Sequence, residues 1–300
     1  MNSSRVGWCG PAGELAHHLD VLHEVPGVEV GACCCGPGEA AAGSAPCVSE
    51  SELLQRGDLD GLVVCAPLAQ RAHWCGAAAA RGWKVLCASP LSDRIGPMRR
   101  LLPGGAAALS VAVASSAYCS QVGQSMRASP AGLGRIVFLE LEASLARQDL
   151  AAQRDGVLLL AGVDYLALLE EAHGPVDSVW AQSRSLLRNR PAEDVCVAYL
   201  KCRDGCEGLV MLSGLGSEGG ARLRLHGVDA SLTVTSGPDA PRSRAVWLEA
   251  YRGFAALLRG EAGPAWSAAE WTGGLRLMQW VQQSARLGRE VLRKEVVDEP

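Results

Sequence analysis

The first 120 residues alternate short apolar runs with amphipathic stretches. Arg5-Val6-Gly7-Trp8-Cys9 predicts a short buried strand, and Gly10-Pro11-Ala12-Gly13 a turn. From Glu14 to Val25 the apolar positions Leu15, Leu19, Leu22 and Val25 recur at helical spacing. Val28 to Cys34 predicts a second strand, closed by Gly36-Pro37-Gly38. A short helix is expected from Ser51 to Arg56. Leu59 to Ala66 is almost continuously apolar, as in a parallel strand covered on both faces. Arg71 to Arg81 is alanine-rich and helical, with Gly82 placed to end it, and Trp83 to Cys87 is the next strand. Strands alternating with helices predict a Rossmann-type, doubly wound parallel sheet.

The second half has a different rhythm. Arg135 to Ala146 alternates as a strand, and Gly156 to Ala172 predicts one long apolar helix. Strands are then expected at Val176–Ser183, Asp194–Cys202, Glu207–Ser213, Ala221–His226 and Ala230–Thr235, with Asp204-Gly205 as a hairpin signal. Ser243 to Arg259 and Ala268 to Leu287 predict amphipathic helices. The pattern gives an α+β domain on an open, mostly antiparallel sheet. It places the boundary near residue 120, with domains 1–120 and 121–300.

Composition narrows the function classes. The chain has 300 residues, 48% hydrophobic and 20% charged, with net charge −4. That balance opposes disorder and a dedicated nucleic-acid binder. No apolar run approaches the ~18 residues of a membrane span, and the N-terminus lacks the pattern of a signal peptide. A cytoplasmic protein is expected, with neither a nucleic-acid nor a membrane partner. Twelve cysteines are many, but their place in apolar runs suggests reduced core thiols. In Cys33-Cys34-Cys35 the first and third share one strand face, and no second Cys/His pair stands nearby at ligand spacing. These three are expected to be strand core, and no metal site is expected. Lysines occur only at 84, 201 and 294, which leaves few for catalysis.

Several segments together resemble the Gfo/Idh/MocA oxidoreductases over almost the full length. Arg5 to Gly10 resembles the opening strand and turn. Asp58 to Pro67 is similar to the strand ending in Thr-Pro, and Gly82 to Leu91 to the segment ending Cys-Glu-Lys-Pro-Leu. Leu159 to Tyr165 resembles the Leu-Asp-x-Gly-x-His helix, Leu225 to Leu232 the late hairpin, and Leu275 to Val291 the last helix. The resemblance implies an NAD or NADP cofactor and a small sugar-like molecule in an interdomain cleft. It also implies a homodimer formed through the C-terminal sheet.

Mapped residue by residue, the resemblance assigns cofactor positions to Gly10, Ala12, Gly13, Cys35, Ala66, Pro67 and Leu68. The Gly-x-Gly-x-x-Gly turn becomes Gly10-Pro11-Ala12-Gly13-Glu14-Leu15, so Ala12 adds a methyl group and Glu14 a charge where a pyrophosphate would approach. Cys35 stands where an acid normally holds the ribose, and Glu39 is the nearest following carboxylate. The family's lysine and histidine, which handle the hydroxyl proton during hydride transfer, correspond to Ser89 and Asp164. Its helix aspartate is Leu160, and the asparagine and histidine after Thr-Pro are Leu68 and Arg71. Tyr118 joins Ser89 and Asp164 as a candidate catalytic group. The pattern favours a catalytically degenerate or repurposed homologue, a pseudoenzyme serving as a binding or structural subunit, with an intact paralogue as a further candidate partner. The alternative is an active NAD(P)-dependent oxidoreductase on a small carbonyl or hydroxyl compound, with Ser89, Tyr118 and Asp164 as a substituted proton relay.

Overall fold

The computed structural model describes residues 3–36, 45–101, 111–128, 130–151, 153–187, 192–237, 244–261 and 266–295. In chain order its elements begin β1 (Ser4–Cys9), α1 (Ala12–Leu22), β2 (Val28–Cys34), α2 (Glu50–Gln55), β3 (Gly61–Val64), α3 (Leu68–Ala79), β4 (Lys84–Ala88), α4 (Ile95–Leu101) and β5 (Val111–Ala114). They continue through α5 (Ser116–Cys119), α6 (Gln121–Ala128), β6 (Ile136–Ser144), α7 (Arg147–Ala151), α8 (Val163–His173), β7 (Val176–Arg184), β8 (Val195–Cys202) and β9 (Glu207–Ser213). The remainder is β10 (Gly220–Gly227), β11 (Ser231–Ser236), α9 (Arg244–Leu258), β12 (Trp266–Ser267), α10 (Ala268–Leu287) and β13 (Val291–Leu292).

Two compact units result. The first joins Met1–Ser115 to Arg242–Ala269; the second joins Ser116–Pro241 to Glu270–Pro300. The single boundary expected near residue 120 is therefore replaced by a discontinuous division. The reason lies in α9. Its apolar face places Trp247, Tyr251, Phe254 and Ala255 in one buried cluster with Val6, Trp8, Leu15, Val63 and Leu86 of the first unit. Helical periodicity shows that such a face exists but not which sheet it covers.

The first unit's sheet runs β12-β5-β4-β3-β1-β2. All pairs are parallel except the short antiparallel contact of β12 with β5. Every residue of β3 and β5 is buried, as the continuous apolar runs require. Gly82 adopts φ +75° just beyond α3, the left-handed turn that ends the helix. At Gly61 a Cβ would lie 2.7 Å from the Lys84 carbonyl oxygen and 3.0 Å from the Phe254 ring, so α9 packs directly on the strand backbone there.

The second unit's sheet runs β11-β10-β6-β9-β8-β7-β13. It is antiparallel except where β6 pairs with β9. Its strands alternate buried with half-buried positions, the mark of one covered face. The expected helix Gly156–Ala172 is not uniform: a π-helical turn, Leu158–Gly162, precedes α8. At Gly162 a Cβ would meet Leu212 of β9 at 2.4 Å, so the turn is seated against the sheet. At Gly274 a Cβ would fall 2.3 Å from the Val163 carbonyl oxygen, which lets α10 approach α8 closely.

Phe254→Ala should lower the free energy of unfolding by about 3–5 kcal/mol, the usual cost of emptying a buried aromatic site. Urea denaturation followed by tryptophan fluorescence measures it. A loss below about 1 kcal/mol would contradict the placement of α9 in this core.

Candidate active site

In the first unit the assigned cofactor positions cluster at the C-terminal edge of the parallel strands. Gly10 follows β1, Ala12 and Gly13 open α1, and Cys35 follows β2. Ala66 is buried after β3, Pro67 is the N-cap of α3, and Leu68 is its first residue. Neither α1 nor α3 has a side-chain cap; in their first turns the N–H groups of Glu14 and Gln70 donate instead to the Pro11 and Pro67 carbonyls at 2.9 and 2.8 Å. The residues themselves suit a dinucleotide poorly. A Cβ at Gly10 would lie 2.9 Å from the Trp8 ring and 3.0 Å from Cys65 Cβ, so internal packing already requires that glycine. The third glycine position is Leu15, fully buried in the core. Glu14 adds its charge to the first turn of α1. Cys35 offers a thiol where ribose hydroxyls need an acceptor pair, and Glu39 lies outside the described residues.

Ser89, the lysine position, follows β4 and precedes a cis Ser89–Pro90 bond; its N–H donates to the Ala114 carbonyl at 2.9 Å. The charged group nearby is Arg71 on α3. Its Nε donates to the Ala66 carbonyl at 2.9 Å, and its Nη1 to the carbonyls of Ala88 and Pro90 at 3.1 and 2.8 Å. One guanidinium thus binds the chain on both sides of Ser89. The sequence identified Arg71 only as a lost histidine. A cation following the Ala-Pro at a strand end was the available signal.

On the buried face of α1 lies His18, 2% exposed. Its Nδ1 is 2.9 Å from the Tyr251 hydroxyl and its Nε2 3.5 Å from the Cys65 thiol, with Trp247 edge-on at a centroid distance of 4.3 Å. Burial, then proximity to His17, lowers its pKa from 6.5 to about 4. The other helix-end and strand histidines are structural: His73 pairs with Glu50, His173 with Asp204, and His226 with Glu140.

In the second unit Asp164, the histidine position, sits in the first turn of α8 and is 8% exposed. Its Oδ1 accepts a 2.7 Å hydrogen bond from the Trp271 indole N–H. The π turn and α8 put Leu160, Ala161, Asp164 and Tyr165 on one wall of a cavity of about 260 Å³. Ser116, Ser144, Gln148, Asp149 and Glu218 supply its other polar lining. A π turn of this kind recurs at functional sites because it turns side chains off the regular helical stripe. Tyr118 does not line this cavity. Its ring lies under the Arg127 guanidinium, 3.7 Å from the centroid, and burial pushes its phenol pKa up. Arg184 ends β7 with an exposed side chain, while Arg188 and Arg190 lie outside the described residues.

No protein-family model and no curated protein matches the sequence. Solved structures do match. A myo-inositol dehydrogenase from Corynebacterium glutamicum superposes with TM-score 0.82 at 19% identity, covering 97% of this chain and 99% of its own. The fold is that of the Gfo/Idh/MocA oxidoreductases. A probable dehydrogenase from Thermotoga maritima gives 0.82 at 17%, covering 98% and 100%. The Bordetella pertussis WlbA dehydrogenase, solved with NADH and UDP-GlcNAcA, gives 0.78 at 22%, covering 97% and 99%.

Cys47 stands beside the end of β2, where no second cysteine or histidine pair was expected at ligand spacing. An isolated parallel bridge joins it to Cys33, and the Sγ atoms of Cys33, Cys35 and Cys47 lie within 4.8 Å of one another. A contact across thirteen intervening residues leaves no trace in strand periodicity.

The buried His18 makes stability depend on pH. Below about pH 6.5 the unfolded imidazole binds a proton that the folded one refuses until about pH 4. Its contribution is complete above pH 6.5 and is lost as pH falls to about 4, by roughly 3 kcal/mol. Urea titrations at pH 7 and pH 4 should show His18→Gln losing less stability over that interval than the parent. Parallel losses would contradict a buried neutral imidazole.

Proposed function

We propose that this chain keeps the oxidoreductase fold but has lost hydride transfer, and serves as a binding or structural subunit. The observation that carries this reading is Asp164: the group at the proton-transfer position is buried and engaged by the Trp271 indole. Ser89 brings no ionisable side chain in place of the lysine. The glycine turn supports the same view, since Gly10 serves Trp8 and Leu15 fills the core.

The ligand that best suits the second unit's cavity is a small neutral polyhydroxy compound. Serine hydroxyls, a glutamine amide and carboxylates accept and donate to hydroxyl groups. Among the described residues no lysine, arginine or histidine lines it, so a phosphate or carboxylate would lack a countercharge.

A second copy of the chain is the proposed partner. The less-covered face of the β6–β10 sheet carries Phe138, Tyr199, Leu209 and Met211 half-buried, with Trp180 38% exposed on β7. The ion pairs Arg222–Glu142 and Arg224–Glu140 lie on the same face. An apolar centre with a charged margin is the usual anatomy of an interface. Sedimentation velocity should give twice the 31.4 kDa chain mass, and Met211→Glu should give the single chain with an unchanged circular dichroism spectrum. A parent that sediments as a single chain would remove this partner.

The place of Gly10, Ala12, Ala66 and Pro67 at the C-terminal edge of the parallel strands favours a second reading, an active NAD(P)-dependent oxidoreductase using Ser89, Tyr118 and Asp164. Thermal denaturation with NAD(H) and NADP(H) at millimolar concentration separates the two. No change in Tm and no turnover with polyols or ketones are expected. A ligand at a hundred times its Kd would stabilise the native state by about 2.7 kcal/mol, so a clear rise in Tm would replace the first reading by the second.

A further inference from the structure

We propose that Cys33, Cys35 and Cys47 form a three-thiolate site for a soft d10 metal ion, zinc or copper(I), at the end of β2. Two features assemble it. Cys33 lies in β2 and Cys35 immediately follows the strand, with their sulfurs close together. The segment carrying Cys47 is then fixed alongside by two backbone bonds, Cys33 N–H to the Pro46 carbonyl and Val48 N–H to the Cys33 carbonyl, both 2.9 Å. Backbone pairing therefore sets the sulfur positions, which lie within 4.8 Å of one another.

The spacing is close to what such an ion demands. Metal–sulfur bonds of about 2.3 Å in a tetrahedral site hold sulfurs about 3.8 Å apart, so rotation of the thiols suffices. The ligand type selects the ion: three sulfurs without a hard oxygen favour zinc or copper(I) over magnesium or calcium. Burial is graded, from fully buried Cys33 through half-buried Cys35 to exposed Cys47. The exposed side gives an entry path and leaves a coordination position for solvent or another ligand. On binding, each ligating S–H bond breaks, its proton passes to buffer, and a metal–sulfur bond forms with no change of oxidation state. The inference does not depend on whether the cavity around Asp164 is catalytic.

The test uses the full chain, reduced and metal-free. Zinc, copper(I) and, as a spectroscopic probe, cadmium are titrated separately. One equivalent should bind by native mass spectrometry, with a thiolate-to-cadmium charge-transfer band, and competition with chelators should rank zinc against copper(I). Cys47→Ser changes an exposed residue, and Cys35→Ser provides a second variant. Each should weaken binding by more than the roughly 100-fold cost of losing a mere supporting partner. Cys119→Ser, in the other unit, should bind like the parent. Absence of a one-to-one complex, binding that survives both variants, or a purified chain two hydrogens lighter with a disulfide among these cysteines would overturn the proposal.

Discussion

A neutral imidazole holds the first unit together. His18 is enclosed by Trp8, Trp247 and Tyr251, and both ring nitrogens have partners: the Tyr251 hydroxyl and the Cys65 thiol. Those partners come from β3's end and from α9, almost two hundred residues apart. One side chain on α1 therefore fastens α9 to the sheet. A charged imidazole would find no acid there, and burial holds the ring neutral. Trp8, packed beneath the β1–α1 turn, in turn excludes any side chain at Gly10. The turn sequence thus answers to the core before it answers to a ligand.

The same inward orientation marks the other polar groups. The C-terminal edge of a doubly wound sheet usually presents its open backbone groups to a ligand. Here Arg71 satisfies three carbonyls of that edge. In the second unit Asp164 accepts from Trp271. An arginine that bonds three carbonyls is not free to meet substrate, and a buried carboxylate engaged by an indole is held in one orientation. Both groups thus make their contacts within the protein.

Much of this architecture was legible in the sequence, because the relevant signals are local. The apolar run Leu62-Val63-Val64 predicts a strand buried on both faces, and β3 is one. Asp204-Gly205 predicts the β8–β9 hairpin, and Gly205 takes φ +86° with the Asp204 carboxylate accepting from Cys206 N–H. The failures are all non-local or depend on register. The amphipathic pattern of α9 is clear, yet its partner sheet is fixed by Tyr251 and Phe254 meeting residues far earlier in the chain. The π turn before Asp164 leaves the apolar pattern unbroken, because leucines at 158, 159 and 160 suit either helix. Around the two candidate positions, no sequence spacing announces the Trp271 indole that donates to Asp164, or the Arg71 guanidinium that bonds the Ala88 and Pro90 carbonyls on either side of Ser89.

The cysteines show why residue type alone is a poor guide to role. Cys9, Cys65, Cys75 and Cys87 are buried thiols in the first unit, and burial pushes the Cys65 thiol well up from its ordinary value. Cys33 is just as buried. It differs only in its neighbours: a strand partner two residues on, and a segment pinned beside it by backbone hydrogen bonds. A small hydrophobe needs only a space of the right volume. A ligand needs a second and third sulfur at fixed distance, and an opening to water. Cys33 meets the first demand itself and the second through Cys47, whose side chain is exposed.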